Sequence, residues 1–158
     1  MAAEIWDLYD GCGEKTGRTM VRGEAIPTGF YHIGVHIWPM NGRGELLIQR
    51  RSMSVQWKPG IWAATGGSAV SEELGYAASE EEMRFVARLR RSNSYCYVYA
   101  VKTDRMENDF SLQKEEVSAV RWCSPQRLMQ MVAEGSMYNY GDAYYKLLLE
   151  FQRNNMRA

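Results

Sequence analysis

Long apolar stretches are missing from this sequence. Runs such as Leu46-Leu47-Ile48 and Leu147-Leu148-Leu149 fall far short of the roughly 20 residues that a helix needs to cross a bilayer, so no membrane partner is expected. A surplus of either charge is missing too. Nineteen basic and nineteen acidic side chains cancel, which argues against a nucleic acid polymer as partner, because such binding normally rests on a basic excess that neutralises phosphates. Cysteine is scarce: Cys12, Cys96 and Cys123 are odd in number and show no C-x-x-C spacing, which fits free thiols better than a disulfide framework or a zinc site. Histidine is scarcer, and His32 and His36 have no neighbour that would complete a three-ligand metal site. The opening residues Met1 to Asp7 carry acids and no basic-then-apolar leader, so a cytoplasmic location is expected.

What remains is material for a packed interior. With 158 residues, 46% of them apolar, the chain has the size of one domain, here expected over 1–158 with an N-terminal hairpin at about 4–22 and a core at about 30–152. Trp6 and Leu8 precede the turn cluster Asp10-Gly11-Cys12-Gly13, and Thr19-Met20-Val21 follows it, which reads as a hairpin. Ile33, Val35 and Ile37 alternate with His32, Gly34, His36 and Trp38, a period of two that predicts a strand over Tyr31 to Pro39. Asn41-Gly42-Arg43-Gly44 is the turn, and Glu45 to Arg51 the returning strand. Ile61 to Thr65 reads as a short strand running into Gly66-Gly67. A second hairpin pairs Met83 to Leu89 with Tyr95 to Val101 about Ser92-Asn93, and Glu80 to Glu82 precede it in a polar turn or short helix. Ala119 to Cys123 is a further strand. Ser124-Pro125 predicts a capped helix to about Glu134, and a last amphipathic helix starts near Asp142. The five Trp and ten Tyr are read as core. Strands with helices at irregular intervals indicate an α+β or layered α/β/α domain.

The strand His32 to Pro39, the glycine turn, the strand ending Gln49-Arg50-Arg51, the Pro59-Gly60-Ile61-Trp62 corner and Gly66-Gly67 together look like the approach to the metal-binding box of the Nudix family. Trp6 to Asp10 followed by Gly17-Arg18 is similar to the N-terminal hairpin of the branch related to isopentenyl diphosphate isomerase. The resemblance spans about residues 4 to 152. Gly67 matches the opening glycine of the box, and Glu72-Glu73-Leu74-Gly75-Tyr76 matches its end, but only Ser68 to Ser71 separate the two pieces. About thirteen residues of a full box are missing from between them. A shifted alignment through Glu73 and Glu81-Glu82-Met83 fails, because the paired acids would fall on Phe85 and Val86. An isomerase is disfavoured, since its cysteine would belong in the strand that here reads Trp62-Ala63-Ala64-Thr65.

The resemblance implies a Nudix-like α/β/α sandwich with a mixed β-sheet. It also implies a hydrolase that cleaves a diphosphate linkage in a nucleoside diphosphate derivative or similar small molecule, using water activated beside Mg²⁺ or Mn²⁺. Gly67, Glu72 and Glu73 become the metal residues, Glu72 and Glu73 carrying the catalysis, with Glu116 as a further ligand. In a full box, glutamates at i, i+3 and i+4 share one helical face; here Glu72 and Glu73 are adjacent and diverge by about 100° around a helix. Both remain readable as solvated acids in a turn, and Glu115-Glu116 as an exposed acidic pair. Arg50, Arg51 and His36 are the substrate-binding candidates, the arginines for bidentate grip on a diphosphate. Solvated strand-end arginines, and a histidine packed against the sheet, are the plainer readings. With the middle of the box gone, weak or absent activity is expected. The alternative is a catalytically inactive Nudix-fold module that binds a ligand or a protein. A homodimer is left open.

Overall fold

The computed structural model describes residues 4–66 and 81–155. Gly67, Glu72, Glu73 and Glu80 lie outside them. β1 (Ile5–Tyr9) and β2 (Lys15–Val21) form the N-terminal hairpin. Its turn is held by Asp10, whose Oδ1 accepts the N–H groups of Cys12 and Glu14, each at 2.9 Å. That is the local side-chain bonding that makes aspartate a turn former. Paired backbone bonds between Tyr9 and Tyr31, at 2.9 and 2.8 Å, fasten the hairpin to the main body.

Among the described residues the main sheet has seven strands: β3 (His32–Met40), β4 (Leu46–Arg51), β5 (Trp62–Ala63), β6 (Thr65–Gly66), β7 (Met83–Arg90), β8 (Ser94–Lys102) and β9 (Val117–Cys123). It is mixed, since β3 runs parallel to β8 and the remaining pairs are antiparallel. The β3–β4 turn is set by Asn41, whose Oδ1 accepts the N–H of Arg43 and Glu45 at 3.0 Å. The two strands pair only at Met40 and Leu46 and then splay apart. β4 takes β9 and β5, and β3 takes β8 and β6. The single strand expected from Ile61 to Thr65 is therefore two: the chain crosses from one arm of the wedge to the other at Ala64, β5 pairing with β4 and β6 with β3. Thr65 and Gln49, both buried, close the wedge with a 3.1 Å side-chain hydrogen bond.

Period-two alternation gives each strand two faces. On one, Trp38, Met40, Leu46, Ile48, Cys96, Val98 and Ala100 pack against α1 (Pro125–Glu134) and α2 (Asp142–Asn155) through Leu128, Met131, Tyr144, Tyr145 and Leu148. α1 starts where the sequence places it: Ser124 Oγ accepts the Arg127 N–H at 3.1 Å, Pro125 takes the first turn, and Gly135 at φ 86 ends it. On the other face Ile37, Leu47, Val101, Val117, Val120 and Trp122 pack with Phe110, beside the one-turn 3₁₀ helix Glu107–Asp109. Among the described residues both α-helices therefore cover the same side. Glu81 and Glu82 form the turn before β7, and Phe85 and Val86 are strand residues, as the alternation requires. No helix of the described residues is long and apolar enough to cross a membrane.

Candidate functional site

Two clefts flank the first half of β3. The larger, about 860 Å³, has Ile33, Val35 and Ile37 along its floor with Tyr99, and Gly66 and Met83 on its border. At its mouth the rings of Trp6 and His32 stack with centroids 3.6 Å apart and planes 13° from parallel. Arg22 bonds Glu4 at 2.6 Å beside them. Burial, and then the charge of Arg22, push the His32 pKa down, so the ring that stacks on Trp6 is neutral at pH 7.

The second cleft, about 420 Å³, opens on the opposite face of β3, where His36, Cys96, Tyr140, Tyr138, Trp57 and Arg91 meet. Tyr144 organises its base. The Trp38 indole N–H donates to the Tyr144 hydroxyl at 2.8 Å, and that hydroxyl lies 2.7 Å from His36 Nδ1. Because an indole only donates, the hydroxyl accepts from Trp38, while the direction of its bond to His36 Nδ1 is set by the histidine tautomer. Burial, with a smaller contribution from Arg91, pushes His36 down to about 4. Burial likewise raises Cys96 to about 11 and Tyr140 to about 12. All three are neutral at pH 7, and the Cys96 thiol is no nucleophile there. Tyr140 is fixed by accepting the Ala64 N–H at 3.1 Å, which ties this cleft to the crossing point of the wedge.

The substrate-binding candidates part company. Arg50 and Arg51 end β4 at a register irregularity against β9, and both side chains reach the loop that follows β4. Arg50 Nε donates to the Gly60 carbonyl at 3.1 Å on an exposed rim. Arg51 Nε donates to the Trp57 carbonyl at 2.7 Å and its guanidinium lies 5.0 Å over the Trp57 ring, so it supports the wall of the His36 cleft. Glu116 is exposed just before β9, its carbonyl accepting the Ser52 N–H at 2.9 Å. Among the described residues no three His, Cys, Asp or Glu side chains gather as a metal site. Gly67, Glu72 and Glu73 fall outside the described residues.

No protein-family model matches the chain. An uncharacterized Nudix hydrolase of Listeria monocytogenes is 30% identical over 151 aligned positions, which take in 87% of this chain and 89% of that one. The chain belongs to the Nudix hydrolase family. An isopentenyl-diphosphate delta-isomerase of Serratia proteamaculans is 32% identical over 87 positions, covering 52% of this chain and 49% of that one. The branch suggested by the N-terminal hairpin is thus represented among the relatives. A crystal structure from Deinococcus radiodurans, 23% identical, superposes with a TM-score of 0.69 over 98% of this chain and 100% of its own. That likeness gives the α+β Nudix fold with its mixed sheet. Nudix hydrolases generally use divalent cations such as Mg²⁺.

Sequence reading missed the wall residues of the second cleft. Trp57 lies in the loop after β4, and Tyr138 and Tyr140 in the connection between α1 and α2. The available signal was their position outside any strand, where a core role is least expected.

Proposed function

We propose that this Nudix protein hydrolyses a diphosphate linkage in a nucleoside diphosphate derivative or a similar compound, with an activity lowered by its shortened box. The end of β6 carries the reading. Thr65 and Gly66 are paired to Ile37 and His36 of β3, and Thr65 is bonded to Gln49 of β4. The residue before the opening glycine of the box is thereby fixed on the border of the large cleft. The alignment with the Listeria relative supports the shortening: 87% of 158 residues is about 137, so about 14 of the 151 aligned positions have no counterpart in this chain. That matches the deficit counted within the box.

Mg²⁺ or Mn²⁺ would be held by the Gly67 carbonyl and the carboxylates of Glu72 and Glu73, with Glu116 in reserve, a set of hard oxygen donors suited to such cations. The cation supplies charge neutralisation at the diphosphate and activation of water. Arg50 and Arg51 each retain guanidinium N–H groups beyond the single bond each makes to a carbonyl, and these suit phosphate oxygens. The second reading, an inactive Nudix-fold module that binds a ligand, is favoured by the aromatic cleft that Trp57, Tyr138, Tyr140 and His36 line.

The test is product release from a panel of nucleoside diphosphate derivatives with Mg²⁺ or Mn²⁺, run beside a chain with thirteen box residues restored. Slow turnover is expected, abolished by EDTA and by Glu72→Gln, and at least about a hundredfold faster after restoration, the scale of recovering one preorganised charge-stabilising contact. Silence in both forms would leave the binding module as the function.

A further inference from the structure

We infer that β7, an open edge of the main sheet, is an interface for a second copy of this chain, the two β7 strands pairing antiparallel across a two-fold axis. Other margins of the sheet are closed by the chain itself. At β5 the Trp62 N–H donates to the Ser136 carbonyl at 2.9 Å, and the Trp62 carbonyl accepts the Tyr138 N–H at 2.8 Å. At β9 the Trp122 N–H donates to Glu107 Oε1 at 3.1 Å. β7 has β8 on one side, and among the described residues no backbone bond reaches Met83 to Arg90 from the other. In that state an edge strand of eight residues offers a row of N–H and C=O groups to another strand. It carries neither proline nor lysine, two residues that deter such pairing.

The side chains of β7 select its own copy as the partner. Met83, Phe85, Arg88 and Arg90 lie opposite Val101, Tyr99, Tyr97 and Tyr95 of β8 and so share one face, whereas Arg84, Ala87 and Leu89 lie opposite Ala100, Val98 and Cys96 and share the other. The alternation changes phase at the irregularity between Phe85 and Ala87. A two-fold axis between Val86 and Ala87 keeps like face beside like face on both sides of that point. It sets Phe85 opposite Arg88 of the partner subunit, Met83 opposite Arg90 of the partner subunit, and Arg84 opposite Leu89 of the partner subunit. No arginine then directly faces another. A slip of one residue either way sets opposite faces side by side, which is how a buried face fixes register.

Exposure and charge agree with that pairing. Phe85 is 56% exposed although it is large and apolar, and on its own chain its ring meets that of Tyr99 with centroids 5.8 Å apart. Across the axis it gains a guanidinium, the contact that aromatic rings make with arginine. Arg88 and Arg90 are already held over the rings of Tyr95 and Tyr31, at 5.0 and 5.1 Å, so little side-chain freedom is lost on docking. The strand is also polarised. Glu81 and Glu82 precede it and Arg88, Arg90 and Arg91 stand at its other end, all of them exposed. Among the described residues none of these arginines makes an ion pair. An antiparallel two-fold contact brings the acidic end of each strand to the basic end of the other, and symmetry makes the match twice.

This inference does not rest on hydrolysis, and it is tested on the full chain with neither substrate nor metal. Sedimentation velocity over a roughly hundredfold range of concentration should show a monomer–dimer equilibrium. Phe85→Lys sets a like charge opposite Arg88 of the partner subunit at both symmetry-related contacts, and should raise the dimer dissociation constant at least about tenfold. Phe85→Glu sets an unlike charge there. Its dimer should persist and should weaken as salt is raised, as an exposed ion pair does. Both substitutions fall at an exposed position, so the far-UV circular dichroism of each variant should match that of the parent chain. The inference is overturned if the chain is a monomer at every concentration, or if Phe85→Lys weakens the dimer no more than Phe85→Glu does.

Discussion

The two halves of β3 differ sharply in burial. From Ile37 to Met40 every residue is buried, whereas from His32 to His36 every residue is half-exposed. The second half has β8 on one edge, with β6 at Ile37 and β4 at Met40 on the other, and α2 lies over it through Tyr144 and Leu148. The first half is paired along β8, but β6 reaches it only at His36, and both clefts open beside it. One strand therefore anchors the scaffold at one end and borders two open clefts at the other. His36 stands at the border, bonded into the closed half through Tyr144 and lining the cleft of the open half.

The sharpest way to break the closed half is at Tyr144, which is 2% exposed. Tyr144→Ala should cost roughly 3–5 kcal/mol in chemical denaturation, the range for deleting a large buried aromatic side chain. Tyr144→Phe keeps the ring and removes the hydroxyl. It strands the Trp38 N–H and leaves His36 Nδ1 without its hydroxyl partner, so a loss of about 1–3 kcal/mol is expected. If Tyr144→Phe were neutral by the same measurement, the hydrogen-bonded link between the halves would carry no stability.

At the border, His36 makes stability depend on pH. Its folded pKa of about 4 lies below the unfolded value, so between these two the unfolded chain binds the extra proton. The stability contributed by a neutral His36 is complete above about pH 6.5 and is lost as pH falls toward 4, by up to roughly 3 kcal/mol. Urea midpoints at pH 7, 5.5 and 4.5 should fall accordingly, with a shallower decline in His36→Gln. Parallel declines in the two proteins would assign the pH response to the carboxylates instead.

How far the sequence went follows the same division. The closed scaffold was legible because its signals are local: period-two alternation in β3, β7 and β8, the Asn41 to Gly44 turn, and Ser124-Pro125 before α1. Phe85 and Val86 read correctly as strand, which disposed of the shifted box. The crossing at Ala64 was not legible, since β5 and β6 differ only in which distant strand each pairs with. The site was half legible. His36 was chosen for its face, but its partner Tyr144 is 108 residues away, and no spacing rule joins them. Arg50 and Arg51 were chosen as a pair, and each spends its Nε on a carbonyl of the loop after β4. The aromatic wall combines Trp57 with Tyr138 and Tyr140 from two loops that only the folded sheet brings together. The readings of Gly67, Glu72 and Glu73 concern residues outside those described.

The open half should tolerate change at its rim. The Arg22–Glu4 pair is short, at 2.6 Å, yet its side chains are 64% and 55% exposed. Water competes for both charges, so Arg22→Ala should shift stability by less than about 1 kcal/mol, and less still in high salt. The same substitution removes a positive charge that helps depress the His32 pKa. Its pKa, followed through the ring protons by NMR, should therefore rise toward the ordinary histidine value while stability barely moves. A large stability loss from Arg22→Ala would mean that the hairpin's hold on β3 is structural, and the contrast between a load-carrying half and an open half would fail at the residue where it is easiest to see.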